Sequence, residues 1–431
     1  MAGSFFPHCS KKYSALHSLQ EEVGAAAKAQ GKELPPFPGK TWTVPTDAVW
    51  RERCSALNAY FYAVLATPAL EALPGVRKMF ERTKEAEEWA PPLCAVGEVT
   101  EADEAARFKF AEVETGMRLG YIDCGDATGP LVVFVHGFPD TLWTWEAAMK
   151  SVAAKGFYCV SVAQRGHFPS SIPETKPEEA DWQRYGKHVL ARDLLGLIKA
   201  LGRRGAVLVG HDFGAVAAWA AAVTDQREGT GLVSRVVGEA IPPPKAIAWK
   251  PGLIFKARHV VYYNTPLLDV VKGTKENNFV YLEALADRLS PTWKRSNRVF
   301  VTCKRYLSMP GRTEAAVAYY RALAPPKQAN ELYEPLNTTD IRIPVLFVCG
   351  EDESGGGMVD MFKQTAAQCA GFCEVVVVRE AGHFVHLEKP NGFLHKLIPF
   401  LEMGPVSDGK QVKIKYVQES AAPVLEPKKM T

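Results

Sequence analysis

Several things are scarce in this chain of 431 residues, and each scarcity excludes something. The nine cysteines, at positions 9, 54, 94, 124, 159, 303, 349, 369 and 373, contain no C-x-x-C pair, and their number is odd. That argues against a zinc site or a disulfide framework and for a reduced, cytoplasmic setting. Net charge is small: 51 Lys and Arg against 48 Asp and Glu leave +3, which speaks against nucleic acid or a strongly acidic partner. The opening residues, Met-Ala-Gly-Ser-Phe-Phe-Pro-His-Cys-Ser, lack a basic stretch followed by an apolar one, so no secretory leader is expected. Long apolar runs are rare too. Residues 54–70 carry no charge, but a helix there would span only about 25 Å, just short of a bilayer core, and Asn58 and Pro68 interrupt it. A helix packed on the main domain is expected, with contact to a membrane surface as the alternative. No internal repeat is visible.

What is present is ordinary globular material, 47% apolar and 23% charged, organised around Val207–Gly214. Ala206–Val209 suits a buried parallel strand, and the Ala-rich run Ala215–Val223 suits a helix. Between them, Gly210-His211-Asp212-Phe213-Gly214 has the spacing of a nucleophile elbow, a sharp strand-to-helix turn that lifts one side chain above a sheet. The nucleophile position holds Asp212 rather than serine.

Residues 1–105 show no strand pattern. They read as an N-terminal helical extension with helices over Ser18–Gln30 and Val49–Thr67 and loops at Leu34–Gly39 and Glu88–Leu93. From Phe108 a hairpin of two edge strands is expected, Phe108–Val113 and Met117–Asp123. Strands follow at Leu131–Val135, Tyr158–Val162, the elbow and Val233–Ala240, with helices between. Residues 242–336 are helix-like and rich in aromatics. Strands return at Ile343–Cys349 and Glu374–Val378, a last helix covers Gly392–Glu402, and residues 404–431 read as a polar tail. This is an α/β class: a mostly parallel sheet in two blocks, 106–241 and 337–403, flanked by helices, with a helical cap inserted after the sixth strand. Ligands bind at the carboxyl edge of such sheets.

A carboxylate nucleophile needs a base to activate water, an acid to orient that base, oxyanion donors and an acid for the leaving oxygen. The candidate base is His383, on the loop after the last core strand; His386 lies three residues on. The orienting acid should come from Glu351-Asp352-Glu353. Backbone N–H groups of Phe138 and Phe213 are placed to serve an oxyanion. In the cap, Tyr320 carries a phenol able to donate to an oxygen and recover the proton.

These residues resemble the α/β-hydrolase fold over about 105–403, and within it the epoxide hydrolases and their haloalkane dehalogenase relatives. The matching pieces are His136-Gly137-Phe138-Pro139, Gln164-Arg165-Gly166-His167, the elbow, Gly382-His383 with Glu388-Lys389-Pro390, and Met309-Pro310-Gly311 followed by Tyr319-Tyr320-Arg321. The resemblance implies attack of Asp212 on an epoxide carbon, protonation by cap phenols, and hydrolysis of the glycol ester by water that His383 activates. A vicinal diol results, with no cofactor or metal. A small lipophilic substrate is expected from the aromatic cap.

Three positions depart from the pattern. Glu353 stands where Asp is commoner, with Asp352 adjacent and Glu239 a remote alternative. His259 aligns where a first cap tyrosine belongs, with Tyr262 or Tyr263 as substitutes. Phe213 replaces the Trp whose indole holds halide in dehalogenases, which disfavours dehalogenation. A dehalogenase-like or other carbon–heteroatom hydrolase on the same fold, and a catalytically lapsed binding protein, are the alternatives. Oligomeric state is not legible.

Overall fold

Runs such as Leu131–Val135 and Val345–Cys349 are apolar at nearly every position, so they need cover on both faces. The computed structural model describes residues 13–34, 101–176, 178–243, 258–263, 279–293, 297–323, 341–353, 357–404 and 411–417. Nine strands of those residues form one sheet: β1 Lys109–Glu112, β2 Arg118–Cys124, β3 Leu131–Val135, β4 Tyr158–Val162, β5 Ala206–His211, β6 Val233–Glu239, β7 Val345–Gly350, β8 Phe372–Val378 and β9 Gln411–Val417. Their order is β1-β2-β4-β3-β5-β6-β7-β8-β9. All neighbours from β4 to β9 run parallel, whereas β2 is antiparallel to β1 and β4. β3, β4, β5 and β7 are buried at every residue.

Two expectations need correction. Only β1 of the hairpin is an edge strand, because β2 pairs on its far side with β4, Tyr121 opposite Val162. The segment that reads as a polar tail contributes β9, which pairs along its whole length with β8. Gln-Val-Lys-Ile-Lys-Tyr-Val alternates with period two, which suits an edge strand.

The helix Phe213–Glu228 continues β5 and is buried from Phe213 to Asp225. It packs against β5, β6 and the helix Lys187–Ala200. Alanines dominate it because close approach to a sheet on one side and a helix on the other leaves little room.

Between β6 and β7 lie the helices Arg258–Tyr263, Val280–Leu289, Asn297–Ser308 and Arg312–Arg321. Asn297–Ser308 turns Phe300, Cys303, Tyr306 and Leu307 inward, three to four residues apart, as an amphipathic helix must. The Cys303 thiol donates to Pro139 O at 3.2 Å. The Trp143 indole N–H donates to the Tyr306 hydroxyl at 2.9 Å, and that hydroxyl donates to Glu104 at 2.9 Å. Glu104 belongs to the helix Glu101–Arg107, so this short helix fastens the insertion to the core.

The chain divides by contacts into Met1–Cys94 and Ala95–Thr431. In the first unit the helix Tyr13–Ala29 is described, with Val23 and Ala27 buried; it starts five residues before the expected Ser18. The expected helix Val49–Thr67 and the uncharged stretch 54–70 lie outside the described residues. Among the described residues no helix is long and apolar enough to cross a membrane.

Candidate active site

The carboxyl ends of β3, β5, β6, β7 and β8 converge on one buried polar cluster. β5 ends in the elbow. Asp212 has φ 53° and ψ −118°, a conformation costly for any residue with a Cβ. The turn is tight enough that a Cβ on Gly214 would lie 2.1 Å from Val135 O, and one on Gly210 would lie 2.3 Å from Gly214 O. Only glycine fits at either place, which explains the spacing read from the sequence. Asp212 O accepts from Ala215 and Val216 N–H, the first turn of the following helix.

The Asp212 carboxylate is thereby held upright with its side chain 15% exposed. Oδ1 accepts from Phe138 N–H at 3.0 Å. Oδ2 lies 3.6 Å from His383 Nε2. Phe213 N–H, at the first position of the helix, has no acceptor within it. His136 fixes the Phe138 loop: its Nδ1–H donates to Gly137 O at 2.9 Å and its Nε2 accepts from Gln164 N–H at 3.2 Å. Burial brings this imidazole down to about 4, so it stays neutral in that tautomer.

His383 Nδ1 meets Glu353 Oε1 at 2.5 Å, both side chains buried. The Nδ1–H of His383 donates to this carboxylate, although burial pushes the Glu353 carboxyl up to about 7, and the bond leaves Nε2 turned toward Asp212. Burial works against the imidazolium, but the Glu353 and Asp212 carboxylates outweigh it and raise His383 well above its ordinary value. Burial likewise pushes the Asp212 carboxyl up, and His383 with Phe138 N–H overcomes this and brings it down to about 2. Asp212 is therefore ionised at any working pH.

Of the two candidate acids, Glu353 is the one that reaches His383. Asp352 has an exposed side chain, and its N–H donates to Ala381 O. Glu239, the remote alternative, is fully buried but serves a different histidine: its Oε1 accepts from His386 N–H at 3.1 Å and contacts His386 Nδ1 at 2.9 Å.

Over the elbow stand two phenol rings. Tyr320 packs edge-on against Phe138 and Phe213, 5.0 Å to each, and stacks on Tyr263 at 4.7 Å. Tyr263 also meets Phe138, at 5.3 Å. His259 also reaches this roof: it touches Tyr320 edge-on at 5.8 Å, and its Nδ1 lies 3.1 Å from Arg288. The helix Arg258–Tyr263 puts Tyr263 one turn further on, on the same face. The side chain of Tyr262 lies outside the described residues. Tyr319 is structural: buried, with its hydroxyl donating to Arg165 O at 2.8 Å. Among the described residues no group of three or more His, Cys, Asp or Glu could hold a metal ion.

The sequence model of the alpha/beta hydrolase family matches residues 132–396, from β3 to the helix Pro390–Glu402. The chain belongs to this family. It is therefore a hydrolase, and the match contains every residue of the constellation above. Epoxide hydrolase 3 of Xenopus tropicalis is 25% identical over 79% of this chain and 92% of its own length. Epoxide hydrolase A of Mycobacterium tuberculosis is 30% identical over 35% of this chain and 46% of its own. Among solved structures, epoxide hydrolase A from Mycobacterium thermoresistibile covers 68% of this chain and 98% of its own with a TM-score of 0.56 at 24% identity. An acyltransferase-named protein from Salmonella enterica reaches 0.58 at 21%, covering 68% and 94%. These likenesses carry the fold.

A second model, that of the PX domain, matches residues 4–83. This stretch resembles a PX domain, a likeness the reading as a helical extension missed. Leu34-Pro-Pro-Phe-Pro-Gly39 falls inside it and carries a distinctive composition, but in isolation it reads only as a loop.

Proposed function

We propose that this hydrolase opens epoxides to vicinal diols through an ester on Asp212. The observation that carries the reading is a half-buried carboxylate at the elbow, flanked on one side by a histidine–glutamate pair and roofed on the other by two stacked phenols. A carboxylate nucleophile without acidic donors near the leaving oxygen suits few substrates; the phenols of Tyr263 and Tyr320 suit a strained ether.

In the first step Asp212 Oδ2 attacks an oxirane carbon, the ring C–O bond breaks, and the released oxygen takes a phenol proton from Tyr263 or Tyr320. In the second, His383 Nε2 takes a proton from water and the hydroxide adds to Asp212 Cγ. The oxyanion that forms on Oδ1 is held by the N–H groups of Phe138 and Phe213. On collapse the glycol oxygen leaves with the proton of the new hydroxyl, and His383 returns its proton to the tyrosinate. Glu353 orients His383 and stabilises its imidazolium. The walls formed by Phe138, Phe213, Tyr263 and Tyr320 favour a lipophilic substrate.

The test is a single turnover of His383→Gln protein with styrene oxide and other aryl epoxides, followed by peptide mass spectrometry. An adduct on the Asp212 peptide is expected, because the ester forms but is not hydrolysed. Absence of any adduct in folded protein would refute the reading. Halide release from a panel of haloalkanes, with no diol from any epoxide, would transfer the same ester chemistry to another leaving group.

A further inference from the structure

The helical insertion touches the catalytic histidine's own backbone. The segment that ends the helix Val280–Leu289 lies against the loop carrying His383. His383 N–H donates to Leu289 O at 3.0 Å and to Ser290 Oγ at 2.9 Å. Phe384 N–H donates to the same hydroxyl oxygen at 3.1 Å. Ser290 is buried at 2% exposure. Two residues on, the Thr292 hydroxyl lies 3.0 Å from Glu380 O and 2.5 Å from the Glu388 carboxylate, which itself accepts from Gly382 N–H at 3.0 Å. The Trp293 ring stacks on Phe384 at 4.9 Å. The fit is close: a Cβ on Gly382 would come within 2.2 Å of Leu289 O. On the other side of the loop, His211 Nε2 lies 3.1 Å from His383 O.

Asp212 owes its position to something else, the elbow between β5 and the helix Phe213–Glu228. Tyr320 and Tyr263 come from other helices of the insertion. The Leu289–Trp293 segment thus bears on the base alone. The 3.6 Å between His383 Nε2 and Asp212 Oδ2 leaves the base no direct bond to fix its placement on that side. Displacement of a reacting group by about 1 Å can cost about a hundredfold in rate.

We propose that Ser290 is a positioning residue for His383, and that Leu289–Trp293 is a clamp through which the docked insertion supports ester hydrolysis but not ester formation. The proposal rests on the Asp212-ester reading above. Ester formation uses Asp212 and the phenols; hydrolysis needs the imidazole within hydrogen-bond reach of a water at Cγ.

Rapid quench of the full chain with styrene oxide, reading the Asp212 peptide over time, separates the two steps. In Ser290→Ala, ester formation should stay within about twofold of the native rate while ester decay slows roughly tenfold, so that the ester accumulates. Ser290→Thr, which keeps the hydroxyl, should restore decay. Should Ser290→Ala not fold, Thr292→Val reads the same ratio from the outer end of the clamp, where a smaller but equally selective slowing of decay is expected. Equal slowing of both steps, or unchanged decay, overturns the clamp. If His383→Gln protein, with Ser290 intact, forms no ester at all, the ester reading fails and the clamp with it. An ester in His383→Gln beside unchanged decay in Ser290→Ala overturns the clamp alone.

Discussion

Two glutamate–histidine pairs stand close together, their histidines three residues apart, and only one faces Asp212. His383 and Glu353 are joined at 2.5 Å, His386 and Glu239 at 2.9 Å, and all four side chains are buried. The difference is the second ring nitrogen. His383 Nε2 looks at Asp212, while His386 Nε2 meets the Thr144 hydroxyl at 2.7 Å and its ring stacks on Trp145 at 4.1 Å. Their electrostatics diverge accordingly. Two carboxylates raise His383, whereas burial takes His386 down to about 3 and pushes Glu239 up to about 8. A histidine paired with a carboxylate becomes a base only where its other nitrogen has work left to do; His386 has spent both.

The sharpest way to break this contrast is to exchange each histidine for glutamine. His383→Gln should lower steady-state diol formation by about a thousandfold, within the span usual for a lost general base. His386→Gln, which can still bond Glu239, should change it by less than about threefold. Comparable losses in both would mean that the second pair takes part in the chemistry.

A pH series on the two half-reactions sharpens the same point. Asp212 sits at about 2, so ester formation should be flat from pH 4 to 8. Ester decay needs neutral His383; the ester removes the Asp212 charge and leaves Glu353 to work against burial, so decay should climb with pH through the histidine range and then level off. Rapid-quench rates at each pH would show it. A flat decay profile would contradict the field assigned to the first pair.

The smallest effect is on stability. Glu239 keeps its proton in the folded protein up to about pH 8, while the unfolded chain gives it up near its ordinary 4.5. The folded state thus binds the extra proton between those values, and its stability falls as pH rises through that window. Glutamine has no proton to lose. Glu239→Gln should melt close to the native protein at pH 5 and higher than it at pH 9, by on the order of 5 °C in a thermal scan. A gap that shrinks with rising pH would reverse the sign argued here.

Much of the site was legible because its residues sit at strand ends, where the sequence pattern and the chain's topology coincide. Asp212 follows β5, Glu353 follows β7 and His383 follows β8, and each stands where the spacing puts it. What failed to show was helical phase. His259 and Tyr263 are four residues apart, one turn on a single face; both meet Tyr320, and Tyr263 also meets Phe138. Glu239 was legible as a remote alternative acid for His383 but not as the partner of His386, since nothing local distinguishes two histidines three residues apart. Ser290 left no trace at all. It acts through a hydroxyl on main-chain N–H groups 93 and 94 residues away, which no motif encodes. β9 did have a signal, the alternation of Val412, Ile414 and Tyr416 with polar neighbours, but lysines and the polar flanks masked it.

That ninth strand changes what the molecule shows to its neighbours. β8 ends in four consecutive valines, Val375–Val378, all fully buried, and without β9 their backbone edge would be open to any passing chain. β9 covers it and is itself exposed at Lys413, Ile414 and Lys415, where the two lysines make a poor template for further pairing. The strand lies one place beyond β8 and supplies none of the residues gathered around Asp212. A chain cut after residue 404 would keep its reacting groups and acquire an adhesive rim, and its loss would be read as clumping on storage long before it was read as lost turnover.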